Sequence, residues 1–63
     1  MDQFSTKLTT AASRRRQARL ARGYTLEELA ITTGLTVAEI AAAEEPGNEA
    51  PEQHVVRIEH VLY

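Results

Sequence analysis

The chain has 63 residues, no cysteine and a formal net charge of −2, which limits it to one domain whose small core no disulfide or thiolate metal site can staple. No run approaches the roughly 20 apolar residues of a membrane span, and the opening MDQFSTKLTT lacks the apolar core of a signal peptide, so a cytoplasmic protein with no membrane partner is expected. The net charge conceals an asymmetry: residues 1–24 sum to +5, with Lys7 and five arginines against Asp2, whereas residues 25–63 sum to −7, with eight glutamates against Arg57.

Residues 1–9 are polar apart from Phe4 and Leu8 and read as a flexible arm, disordered or docked through those two side chains. The domain proper is expected over 10–63. Its first helix runs from about Thr10 to Arg22, rich in Ala, Arg and Gln, with Thr9, Thr10 or Ser13 as the cap. Gly23 ends it, and Arg19 and Arg22 suit the negative end of the dipole. Leu20 is its one large apolar residue. Arg14, Arg15 and Arg16 form either a solvated face or a phosphate clamp. Tyr24 either staples the start of the next helix or donates to a phosphate.

The second helix covers Thr25 to Thr33, with Leu26, Leu29, Ala30 and Thr33 at i, i+3, i+4 and i+7 as one buried stripe. Gly34 supplies the positive φ of a tight turn, and Leu35 plugs the core. The third helix runs from Thr36 to about Glu45, with Ile40, Ala43 and Glu44 inward and Val37, Ala38, Ala41 and Ala42 outward. Both helices open on a capping box, Thr25 with Glu28 and Thr36 with Glu39: the hydroxyl accepts from a first-turn N–H and the carboxylate reaches back to the cap's own N–H. Helix, glycine turn, helix at this scale outlines a helix-turn-helix. Pro46-Gly47-Asn48 breaks the chain. A last helix starts near Pro51 as its N1 residue, with Val55, Ile58, Val61 and Leu62 as its apolar stripe. No strand pattern or internal repeat is present.

The run Arg19-x-x-x-Gly23-x-Thr25-Leu26-Glu27-Glu28-Leu29-Ala30-x-x-x-Gly34-Leu35-Thr36-x-x-x-Ile40-x-x-x-Glu44 resembles the Cro/C1-type (XRE-like) helix-turn-helix domain of phage repressors and bacterial regulators, over about Ser13 to Leu62. The resemblance implies an all-α, lambda-repressor-like bundle of four helices with a possible short fifth turn. It implies a structural ion pair between Arg19 and Glu44. It places base reading at the start and middle of the third helix, on Thr36, Val37, Ala38 and Ala42. Three features depart from the family pattern. The reading positions carry one hydroxyl and three short aliphatics, which contact only a thymine methyl, and Glu39, an acceptor for cytosine N4, is also a cap. The loop Glu45-Pro46-Gly47-Asn48-Glu49 is acidic where the family is commonly basic, with Asn48 as its candidate DNA contact. The chain stops where a fifth helix would begin, which would leave the surface around Val61 and Leu62 open to a partner.

The expected function is a DNA-binding transcriptional regulator of repressor type. It would hold double-stranded operator DNA through Arg14, Arg15, Arg16, Tyr24, Thr25, Thr36, Val37, Ala38, Glu39, Ala42 and Asn48, as a homodimer paired through Val55, Ile58, Val61, Leu62 and Tyr63. The alternative is a helix-turn-helix turned protein-binding module, an antiactivator or antirepressor, whose apolar third helix takes a partner's side chains. An enzyme is not expected, since no Ser/His/Asp set and no glycine-rich phosphate loop is present. No cofactor or metal is expected either: His54 and His60, six apart, do not share a helix face at ligand spacing.

Overall fold

The computed structural model describes residues 10–63; the arm expected over 1–9 lies outside the described residues. Four helices form an all-α bundle: α1 (Ala11–Ala21), α2 (Leu26–Thr33), α3 (Val37–Ala43) and α4 (Glu52–Leu62). No strand is present among the described residues.

Each of the first three helices begins on a threonine. Thr10 caps α1, its Oγ1 accepting from the Ser13 N–H at 3.0 Å. Thr25 and Thr36 cap α2 and α3, and both capping boxes close in full. Thr25 Oγ1 accepts from the Glu28 N–H at 3.0 Å while Glu28 Oε1 accepts from the Thr25 N–H at 2.8 Å. The matching distances in α3 are 3.1 Å for Glu39 N–H to Thr36 Oγ1 and 2.9 Å for Thr36 N–H to Glu39 Oε1. At seven residues α3 is too short to persist alone, so its ends and its packing hold it. Pro51 stands one place earlier than expected, as the N-cap of α4, without a side-chain cap.

The C-termini use glycine. Gly23, at φ 79°, completes a Schellman turn in which the Gly23 N–H donates to the Leu20 carbonyl and the Tyr24 N–H to that of Arg19. Gly34, also at φ 79°, lets its own N–H and that of Leu35 both reach the Ala30 carbonyl, which turns the chain straight into α3.

The core is small and comes mostly from the last three helices. Leu29, Ala30, Leu35, Ile40, Ala43, Ile58 and Leu62 are buried together, with Ala18, Tyr24, Leu26, Ala50 and Val61 packed partly against them. α4 packs against each of the other three helices, and α2 packs against α3. Ile58 and Leu62 therefore correct the expectation that this stripe faces a second copy or an open surface. They are 0% and 2% exposed inside their own domain. The reason lies in α1, whose one large apolar side chain, Leu20, is 51% exposed. A helix that brings no large hydrophobe inward leaves α4 to supply it. Along α1 the buried positions are instead Ala12, Arg15 and Arg19.

Candidate nucleic-acid interface

α2, the Gly34 turn and α3 form the unit on which the candidate site rests, and Arg19 fixes its orientation. Its Nε donates to Glu44 Oε2 at 2.7 Å and its Nη2 to Glu44 Oε1 at 3.1 Å, a two-pronged pair with both side chains buried. Its Nη1 donates to the Tyr24 carbonyl at 3.0 Å. The same residue's carbonyl accepts the Tyr24 N–H. One side chain thus ties the end of α1, the turn into α2 and the C-cap of α3. The planar guanidinium matches a carboxylate edge on, which a lysine ammonium does not.

Arg15 does a second such task and corrects the clamp expected at 14–16. Its Nε donates to the Ala43 carbonyl at 3.1 Å and its Nη1 to Glu59 Oε2 at 3.0 Å. Its side chain is buried, so it is not free to meet a phosphate. Helix geometry explains the split. At 3.6 residues per turn, neighbours diverge by about 100°, so if Arg15 points inward, Arg14 and Arg16 flank it about 200° apart and form no common patch. Both are exposed, as is Arg22. The Arg15–Glu59 link was not anticipated. Its signal was the spacing of Arg15 and Arg19, i and i+4 on one face, together with Ala12 three residues before Arg15.

The caps Thr25 and Thr36 stand exposed, as do Glu27 in α2 and Val37 and Ala38 in α3, while Leu26 is half-buried. Val37, Ala38 and Ala41 form the exposed outer face of α3, with Ala42 half-buried at its edge. Glu39 is turned to other work. Oε1 closes the capping box, and Oε2 lies 3.7 Å from His54 Nε2 at the start of α4. The Thr36 N–H holds its carboxyl below the ordinary carboxylate value; desolvation, the next effect in size, raises it, and the nearby His54, the Thr36 hydroxyl and Arg57 lower it. Glu39 thus serves the α3 cap through one oxygen while its side chain stays 39% exposed. Asn48 is exposed, but its Nδ2 donates to the Ala42 carbonyl at 3.0 Å and so closes the C-terminus of α3. Tyr24 is half-buried against the core, as a staple would be.

Of the residues expected to pair two copies, Val55 and Val61 are half-buried and Tyr63 is exposed, while Ile58 and Leu62 belong to the core. His60 is exposed; no group of three or more His, Cys, Asp or Glu comes together among the described residues. No helix among them is long and apolar enough to cross a membrane.

The class defined by this arrangement is a small all-helical domain of four helices, with a central α2–turn–α3 unit compatible with a helix-turn-helix. No family model, no curated protein and no solved structure matches the chain.

Proposed function

We propose that the domain is a transcriptional regulator of the Cro/C1-like helix-turn-helix kind that binds double-stranded operator DNA with α3 in the major groove. The observation that carries this reading is the α2–Gly34–α3 unit itself. It is capped at both N-termini, locked to α1 by the Arg19–Glu44 pair, and left with an uncovered α3 face of small side chains. Small residues bring a helix backbone close to base edges, and Val37 and Ala38 suit thymine methyls. The first-turn N–H groups that the capping boxes leave free, those of Leu26 and Glu27 in α2 and of Val37 and Ala38 in α3, point where a phosphate would sit. Arg14 or Arg16 adds a cation from α1. Much of the selectivity would then come from DNA shape.

Titration of duplex from the protein's own promoter region over a series of salt concentrations tests this. With one arginine of each domain neutralising a phosphate, log K should fall with log salt at a slope of about −1 per bound domain. Ala38→Glu should abolish site selection while leaving the fold intact. Absence of binding to any duplex at low salt refutes the proposal.

A second reading rests on one observation: the engaged Glu39 and the apolar Val37, Ala38 and Ala41 leave α3 with an outer face suited to a protein helix. In that case the same titration is silent and Ala38→Glu breaks a protein complex instead.

A further inference from the structure

The face of α2 opposite its buried stripe, with the adjoining side of α4, has no task in the fold and none in the reading above. Ile31 stands at its centre and is 82% exposed, more than any other large hydrophobe among the described residues. α2 packs through Leu26, Leu29 and Ala30, so no internal contact requires an isoleucine at 31. Val56, 56% exposed, stands on α4. Two adjoining concavities join the pair. One, of about 470 Å³, is lined by Arg22, Tyr24, Ile31 and Thr32 among others. The other, of about 280 Å³, is lined by Thr32, Val56, Arg57 and Val61 among others. Thr32 belongs to both, and its hydroxyl is already satisfied, donating to the Glu28 carbonyl at 2.9 Å.

Charge selects the occupant. Arg22 lines the first concavity and Arg57 the second, both exposed and without an ion pair among the described residues. Arg57 leans over the Gly34 turn, its Nη1 3.6 Å from where a Cβ at that glycine would lie. Glu28, which also lines the first concavity, is bound into the α2 capping box. Glu27 flanks Ile31 one helical turn away and repels a carboxylate set beside it. Acids on an occupant are therefore favoured beside these two arginines and not beside Ile31. Elsewhere the exposed charges from Glu45 to Glu52 are all acidic and repel such a partner. A second copy fits poorly, because a two-fold pairing of this face brings its own arginines against each other.

We propose that this α2–α4 groove docks a short segment of another protein, aliphatic in its middle and acidic at both ends, with Ile31 and Val56 as the apolar anchors and Arg22 and Arg57 as the end contacts.

The test uses the whole chain and a synthetic peptide, acetylated and amidated, of alternating leucine and alanine with two glutamates at each end. Methyl NMR follows the titration. Saturable shifts are expected at the Ile31 and Val56 methyls, with the Val37 methyls unmoved. Ile31→Glu, which touches no buried contact and whose fold is checked by circular dichroism, should weaken the peptide at least about tenfold, as loss of an anchor does. Replacing the peptide's glutamates by lysines should weaken it as well. The proposal is overturned by the absence of saturable shifts at millimolar peptide, by equal binding of the lysine peptide, by an Ile31→Glu chain that binds unchanged, by the same shifts arising from concentration of the protein alone, or by duplex DNA moving Ile31 and Val56 at lower concentration than the peptide. Failure of the DNA reading shows instead on the Val37 methyls, so the two outcomes are separable.

Discussion

Arg19→Ala removes one partner of a pair that is buried on both sides, with the arginine and glutamate side chains 8% and 5% exposed. Glu44 is then left charged, desolvated and without its two donors, while the Tyr24 carbonyl loses a third. Breaking a buried pair in this way costs about 3–5 kcal/mol. A domain of this size holds about 3–9 kcal/mol in total, at roughly 0.05–0.15 kcal/mol per residue. The substitution should therefore remove a third of the stability at the least, and all of it at the low end of that range. At about 4–8 °C per kcal/mol for small domains, the melting temperature falls by well over 10 °C. Urea unfolding followed by circular dichroism measures it, with the m-value checked for two-state behaviour. The double change Arg19→Met with Glu44→Leu separates the cost of an orphaned charge from loss of the tie itself. Apolar replacement of both partners is often neutral, so the double variant should recover most of what the single one loses. A midpoint for Arg19→Ala that gives a loss below about 1 kcal/mol would mean that the pair is solvated and that α3 is oriented by its apolar contacts alone.

Two further expectations follow from the same contacts. Arg15→Ala should cost about 1–3 kcal/mol, because it leaves the Ala43 carbonyl without its side-chain donor and strips a buried stem from α1; Glu59→Gln, at the exposed end of that link, should cost less, and an Arg15→Ala chain of unchanged stability refutes the assignment. Glu39 has a folded-state pKa below the ordinary value of 4.5, so its contribution is present above that value and lost as pH falls through the lower, folded one. As pH falls from 4.5 through that lower value, Glu39→Gln, which keeps an acceptor for the Thr36 N–H, should therefore show a shallower loss of stability with acid than the parent chain, and parallel curves would contradict the contact.

The features legible in the sequence were those whose cause is local. Thr25–Glu28 and Thr36–Glu39 are capping boxes by spacing alone, and a glycine at 34 between two periodic stretches has few other uses. The inward set Ile40, Ala43 and Glu44 follows from the period of α3 once Ile40 is placed. The Arg19–Glu44 pair spans 25 residues and came from the family resemblance, not from spacing. Arg15 was misread because three consecutive arginines look like one surface charge run, whereas a helix sends them in three directions. The stripe Ile58–Leu62 was correctly apolar, but a stripe does not state what covers it. That depends on α1, and on the outward turn of Leu20. The second partner of Glu39, His54, lies across two elements and had no local signal.

The two buried arginines also restate the charge asymmetry that first suggested nucleic acid. α1 and its cap carry five arginines, yet Arg15 and Arg19 are neutralised inside the fold by Glu59 and Glu44. Arg14 and Arg16 lie on opposite flanks, and Arg22 stands at the far end beside the α2–α4 groove. So, among the described residues, these five arginines form no single basic face. A phosphate track along α1 has one cation on either side, never three together. Any DNA affinity must lean on backbone N–H groups at the starts of α2 and α3, whose strength falls off within the first turn. Those N–H groups, unlike arginines, need close approach, and only small residues at 37, 38 and 41 permit it. Lengthening one of these side chains should thus hurt DNA binding more than removing Arg14 or Arg16 singly. The reverse ranking in a gel-shift series would place the affinity on α1 and take the groove-facing role away from α3.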